Sequence, residues 1–265
     1  MTSNTPATDI TVPQRALGDT GLSVSLLGLG LVKIGRNADV KYPKAFDLPS
    51  DETVIQLLEE AQHLGVTLLD TAPAYGTSEE RLGRALQQLP EYAKRCVIST
   101  KVGESWGTTG STFDFSADAI NRSVERSLRR LQRDQLDIVL LHSSGADTEI
   151  LTQHQPLATL QELQQQGLIT ACGFSGKSLA GGRLALQEGA KVLMVTYNSD
   201  ETEQLPLLSD AAKHGAGVLI KKPLASGYAP PGGLLDIATL SGVSAVVSGT
   251  CNPDHLRANA TLLVH

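Results

Sequence analysis

Apolar residues along this chain gather into short continuous runs, and between the runs they recur at helical spacing. That pattern predicts buried strands alternating with amphipathic helices. Arg15–Ser25, punctuated by Gly18-Asp19-Thr20-Gly21, predicts a β-hairpin ahead of the main body. The strands that follow are Leu26–Leu31, Val66–Leu69 running into Asp70, Val97–Thr100 running into Lys101, and Leu136–Leu141 running into His142. Four more are predicted at Ile169–Ser175, Lys191–Asn198, Gly217–Lys222 and Val243–Ser248. A helix capped by Ser50 carries Val54, Leu57, Leu58, Ala61 and Leu64 on one face and closes at Gly65. Thr77 and Glu80 have the spacing of a capping box for a helix through Leu86. Ser116 opens a helix with Ile120, Val124, Leu128 and Leu131 on one face, and another helix holds Leu157, Leu160 and Leu163. Shorter helices are expected at Leu179–Leu186, Leu205–Lys213 and Leu234–Leu240, with a last one opened by Pro253.

Apolar strands of this kind, buried on both faces and separated by helices, are what a parallel (β/α)8 TIM barrel requires. The length of 265 residues suits one such barrel, and neither linker nor repeat interrupts it, so residues 1–265 are expected to form a single domain. Two connections stand out as long. Residues after Leu31 run irregularly to Pro49, and Val102–Phe115 is a Gly/Ser/Thr-rich loop carrying Trp106, Phe113 and Phe115. Loops of that length are usually functional.

Charge narrows the choice of partners. The net charge is −6 and the pI about 5.5, with no basic cluster to suit nucleic acid or an anionic membrane, so a small molecule is expected. Cys96, Cys172 and Cys251 are odd in number, distant in sequence and without metal-ligand spacing. No signal peptide or membrane-spanning run is evident, and a soluble cytoplasmic protein is the expectation. A dinucleotide-binding Rossmann motif at Gly28-x-Gly30 fails because the third glycine position is Lys33; a Walker A loop from Gly30 fails because Gly35 is followed by Arg36-Asn37.

The chemistry is expected where strands end. Asp70, Lys101 and His142 close three successive strands, and Tyr75 follows Asp70 by five residues, in a loop over the barrel mouth. A free phenol has a pKa of about 10 and donates poorly at neutral pH; a nearby ammonium lowers it, and a carboxylate holds the ammonium. Asp70–Lys101–Tyr75 supplies those parts, and His142 is placed to orient a carbonyl oxygen beside the phenol.

These motifs resemble the aldo-keto reductases. The likeness rests on Arg15-x-Leu17-Gly18-x-Thr20-Gly21-Leu22, Leu68-Leu69-Asp70-Thr71-Ala72-x-x-Tyr75-Gly76, Ser99-Thr100-Lys101 and Leu141-His142. It continues through Gly173-Phe174-Ser175, Tyr197-Asn198, Pro223-Leu224-Ala225-Ser226-Gly227 and Gly249-Thr250-x-x-Pro253-x-His255-Leu256-x-x-Asn259. The resemblance implies reduction of small aldehydes or ketones, or oxidation of alcohols or sugars, with NADP(H), NAD(H) being possible. Asp70, Tyr75, Lys101 and His142 would be the catalytic tetrad. Cofactor positions carried over are Gly30, Ser175, Lys221, Lys222, Leu224, Ser226, Gly249, Thr250, His255 and Asn259. Gly176 and Met194 stand where the family usually has side-chain amides, and Lys221 where it often stacks an aromatic. Trp106 and Phe113 are expected to wall the substrate pocket. The chain ends soon after its last helix, without the loop that closes over substrate in longer members, so an open pocket is expected. A modest NADP(H) preference that grows as pH falls is expected from His255, with Arg257 as an alternative phosphate ligand. Two other readings are a cofactor-binding interaction protein resembling potassium-channel β subunits, opposed by the intact tetrad, and a lyase using Lys101 as a Schiff base.

Overall fold

The computed structural model describes residues 10–264; the N-terminal polar arm lies almost entirely outside them. A hairpin, β1 (Gln14–Ala16) and β2 (Ser23–Ser25), precedes the barrel. Eight parallel strands then close on themselves: β3 (Leu27–Gly30), β4 (Leu68–Asp70), β5 (Val97–Val102), β8 (Leu136–His142), β9 (Ile169–Ser175), β10 (Val192–Thr196), β11 (Gly217–Lys221) and β12 (Ala245–Gly249), which pairs back onto β3. This is the (β/α)8 barrel that the apolar runs imply.

Alternation of side chains along each strand divides the core in two. Leu68, Ile138, Leu140, Ala171, Val192, Met194, Leu219, Ala245 and Val247 pack inside the barrel, joined from below by Leu17 and Val24 of the first hairpin. Leu69, Val139, Leu141 and Val195 face outward onto the helices. The hairpin is seated tightly: a Cβ on Gly18 (φ +51°) would lie 2.4 Å from the Gly217 backbone nitrogen, and the Asp19 N–H donates to Gly215 O at 2.8 Å.

The helices form as their caps and stripes dictate. Those that matter to the site are α1 (Asp51–His63), α2 (Ser78–Gln87), α3 (Ala117–Leu131), α4 (Asp147–His154) and α5 (Pro253–Thr261), with a one-turn helix Val32–Gly35 after β3 and a 3-10 turn at Pro73–Tyr75. Ser50 accepts from Thr53 N–H and Ser116 from Ala119 N–H. Thr77 makes no side-chain cap, so the expected capping box is absent; Glu80 pairs with Arg130 at 2.9 Å instead. The stretch expected as loop 102–115 contains an antiparallel hairpin, β6 (Glu104–Gly107) with β7 (Gly110–Phe113), because the Thr108-Thr109-Gly110 turn lets the two arms pair. Helix α4 carries no strong apolar stripe, and the sequence pattern does not announce it.

Candidate active site

The inward series of each strand ends in the mouth. Continuing two residues beyond Leu68, Leu140, Met194, Leu219 and Val247 reaches Asp70, His142, Thr196, Lys221 and Gly249. Register levels them: Gly249 pairs with Gly30, Gly30 with Asp70, His142 with Ser175, and Thr196 with Lys221. Together they line a cavity of about 710 Å³ that also includes Tyr75 and Lys101.

Lys101 is 1% exposed, and its ammonium donates to Asp70 Oδ1 and to Thr71 O, both at 2.8 Å. The same nitrogen stands 4.8 Å from the centre of the Tyr75 ring. Burial works against the Lys101 charge, but Asp70 and Tyr75 outweigh it and hold the pKa above its ordinary value. For Tyr75 the balance differs from the sequence expectation. Burial raises its pKa more than Lys101 lowers it, so the phenol keeps its proton at neutral pH. Backbone contacts fix the Tyr75 turn: a Cβ on Gly35 would lie 2.4 Å from Tyr75 O and 2.1 Å from Ser78 N, and Thr77 N–H donates to Gly35 O.

His142 meets Tyr75 edge-on, ring centres 6.3 Å apart. Its Nδ1 lies 2.7 Å from Glu104 Oε2, with the ring's N–H direction off the line to that oxygen, and has no other partner. Burial lowers the His142 pKa despite Glu104, and Lys101 and Lys221 push the same way, so the imidazole is neutral at pH 7. Glu104 is a residue that sequence reasoning missed; a lone carboxylate in a Gly/Ser/Thr-rich stretch carries no periodic signal.

Of the cofactor candidates, Gly30, Ser175, Lys221, Lys222, Leu224, Ser226 and Gly249 line the cavity. The Lys221 ammonium donates to Ser175 Oγ and Gly176 O, each at 3.0 Å, and is not a solvated strand end. Burial, with Lys222 and Lys101 nearby, pulls its pKa down to about 7. Lys222 has φ +52° and lies 3.7 Å from Glu201. Thr250, His255 and Asn259 are not in the wall. Thr250 Oγ1 accepts from Asn252 N–H at the start of α5, buried Asn259 donates to Ser248 Oγ at 3.0 Å, and His255 is exposed. Arg257 pairs with Glu60 at 2.7 Å on the outer surface.

The expected aromatic wall is corrected. Trp106 stacks under Arg36 at 4.7 Å with Nε1 3.4 Å from Asp39, and Phe113 is exposed against Phe115. Both belong to the β6–β7 hairpin and face its neighbours, not the cavity. Tyr42, Lys33 and Lys41 from the long loop after β3 line it instead, with Lys33 Nζ 4.1 Å above the Tyr42 ring. The only signal for them was that loop's length.

The mouth fits a nicotinamide dinucleotide on two grounds. Lys33, Lys41, Lys177, Lys221 and Lys222 border it, and one side of it is bare backbone: a Cβ on Gly249 would lie 2.9 Å from Tyr42 Oη, and one on Gly30 3.3 Å from Gly249 Cα.

The aldo/keto reductase family model matches residues 26–262. L-galactose dehydrogenase of Arabidopsis thaliana is 31% identical over 223 residues, covering 80% of this chain and 66% of that protein. NADH-specific methylglyoxal reductase of Escherichia coli is 31% identical over 229 residues, covering 80% and 67%. The chain thus spans about two thirds of the length of these curated relatives. A solved structure from Pseudomonas aeruginosa assigned to the aldo-keto reductases is 44% identical, covers 96% of both chains and superposes with a TM-score of 0.87. With the family model spanning the whole barrel, the chain belongs to the aldo/keto reductase family.

Proposed function

We propose that this chain is an NAD(P)(H)-dependent oxidoreductase that reduces small aldehydes or ketones, or oxidises the corresponding alcohols or sugars, with Tyr75 as proton donor and acceptor. The observation that carries this reading is the Lys101 ammonium, pinned 2.8 Å from Asp70 and 4.8 Å from the Tyr75 ring centre at the cavity floor. A phenol that keeps its proton in the resting site suits donation to an oxygen that becomes negative, and the fixed ammonium stabilises the phenolate left behind. A bound nicotinamide supplies or accepts the hydride. Ser175, Lys221, Leu224, Ser226 and Gly249 are the residues that would hold it.

Substrate preference follows from the lining. Beyond the tetrad the wall includes Thr196, Asp200, Glu201, Glu203 and Gln204, which suits hydroxylated carbonyl compounds better than apolar ones. The relative named for L-galactose points to the same chemical range. Both nicotinamide cofactors are accepted in this reading, since Arg257 is engaged by Glu60 and no arginine lines the cavity among the described residues.

The test is Tyr75→Phe, assayed against aldehydes, ketones and aldoses with either cofactor. Loss of turnover with cofactor affinity near wild type is expected. Retention of more than about a tenth of kcat/KM, a loss under about 1.4 kcal/mol, refutes the proton-donor role. Cofactor binding without turnover of any substrate by the wild type supports the interaction-protein reading instead.

A further inference from the structure

A buried carboxylate that the reading above does not use stands beside the mouth. Asp147, the first residue of α4, is 2% exposed. Its Oδ1 accepts from the hydroxyl of Ser143, the residue after His142. Its Oδ2 accepts from Lys177 N–H at 2.8 Å, from Ser178 N–H at 2.7 Å and from Ser178 Oγ at 2.7 Å. The carboxylate thereby ties the end of β8 to the turn that follows β9. Glycines make room for it: a Cβ on Gly181 would run into Asp147 Cβ, and one on Gly176 would run into the Phe174 ring and lie 3.0 Å from Asp147 Oδ2. The turn fixed in this way begins with Ser175 Oγ and Gly176 O, the two oxygens to which the Lys221 ammonium donates at 3.0 Å.

All four donors to Asp147 are neutral, so its charge is left to act beyond its contacts. A neutral acceptor would hold the same turn at a smaller desolvation cost. What only a carboxylate adds is a field, and Lys221 lies within its reach. Burial and the neighbouring Lys222, Lys101 and Lys177 oppose the Lys221 ammonium, whereas Asp147 favours it. Of the other ionisable groups around the mouth, Glu201 is engaged by Lys222 at 3.7 Å, His142 is neutral at pH 7, and Asp200 and Glu203 border the cavity from the loop after β10.

We propose that Asp147 is a positioning residue for Lys221: it locks the turn after β9 so that Ser175 Oγ and Gly176 O hold the lysine, and it supplies the negative charge that keeps an ammonium on that wall of the cavity. This rests on the reading of Lys221 as a residue that holds the dinucleotide, and deepens it. Gly176 and Lys221, each a departure from the residue types usual in the family, then belong to one device. A side chain at position 176 would displace Phe174 or Asp147, and with them the carbonyl that Lys221 uses.

The test reads Lys221 directly and needs no substrate. Wild type and Asp147→Asn, which keeps the shape and an acceptor oxygen but not the charge, are trace-labelled with acetic anhydride between about pH 6 and 9, where a free amine near neutrality titrates. Peptide mass spectrometry follows acetylation of Lys221, with exposed Lys94 as internal reference. The wild-type lysine should titrate near pH 7, and its midpoint should fall by about half a unit in Asp147→Asn, below the roughly one to three units of a charge in direct contact. Gly176→Ala, which leaves the Asp147 charge but displaces the carbonyl, should lower the midpoint as well. Dinucleotide dissociation constants measured by fluorescence should show the tighter binding at low pH setting in about half a unit lower in Asp147→Asn. In a Lys221→Met background the same Asp147 change should alter affinity by less than about twofold, since a residue acting through Lys221 has nothing left to act on. An unmoved Lys221 midpoint in either folded variant, the signature of a merely structural role, overturns the proposal. So does a loss of affinity as large without Lys221 as with it. Failure of Lys221→Met to weaken dinucleotide binding would refute the cofactor reading of Lys221 while leaving the labelling midpoints as they are, so the two failures are separable.

Discussion

Replacing Asp70 by Asn tests the electrostatics of the site more sharply than an activity loss does. The substitution keeps the shape and an acceptor oxygen 2.8 Å from Lys101 Nζ but removes the charge. At that separation, and with an effective dielectric constant of about 20, the lost attraction is about 6 kcal/mol. The amide oxygen recovers part of it, and breaking a buried pair from one side typically costs about 3–5 kcal/mol. For a chain of this length that lowers Tm by roughly 10 °C. The pH dependence identifies the cause. In the wild type the folded-state pKa of Lys101 lies above its unfolded value, so its stabilisation is complete below about pH 10 and lost only as pH rises through the folded value. In Asp70→Asn burial acts without its main opponent and the folded pKa drops below the unfolded one. The penalty is then full at low pH and shrinks as pH rises toward about 10, where the unfolded chain also sheds the proton. Urea unfolding at pH 7 and pH 9.5 should show a large gap between variant and wild type that narrows at the higher pH, with unchanged m-values. A gap under about 1 kcal/mol at pH 7, or one equally wide at pH 9.5, would refute this account of the pair.

Two further perturbations address the cofactor side and the Tyr75 turn. Lys221 titrates near pH 7, so it gains charge as pH falls; dissociation constants measured by fluorescence should show a dinucleotide bound about tenfold tighter at pH 6 than at pH 8, the worth of one charge-assisted contact, and Lys221→Met should flatten that slope. Gly35→Ala pushes a methyl group into the backbone of Tyr75 and Ser78; a loss of about 2–3 kcal/mol in stability, with kcat reduced far more than cofactor affinity, is expected from calorimetry and kinetics.

The barrel was legible because its strands are buried on both faces and therefore read as apolar runs such as Ile138–Leu141, which stops at a polar residue, His142, that the alternation points inward. Asp70, Lys101 and His142 were legible for the same reason. What the sequence hid depends on distance, not pattern. Glu104 reaches His142 only because Gly103 reverses the chain, and Tyr42 crosses to Gly249 from a loop with no periodicity. Trp106 and Phe113 looked like pocket walls by residue type, but the pairing of β6 with β7 sends them elsewhere. The proton affinity of Tyr75 was misjudged because the effect of Lys101 can be read from spacing while the opposing cost of burial cannot.

The hairpin plug bears on how the chain is made. Leu17 and Val24 come before the barrel in the chain, yet part of the surface that covers them, Gly217, Leu219 and Ala245, belongs to the final strands. The seam between β12 and β3 likewise joins residues more than two hundred positions apart, so no ring exists until Gly249 has emerged. During synthesis, then, the plug and the open edge of β3 wait together as unpaired apolar and hydrogen-bonding surface. At about 5–20 residues per second that wait lasts some tens of seconds or less. The order of assembly thereby leaves a hairpin translated ahead of the barrel incompletely covered until the ring closes.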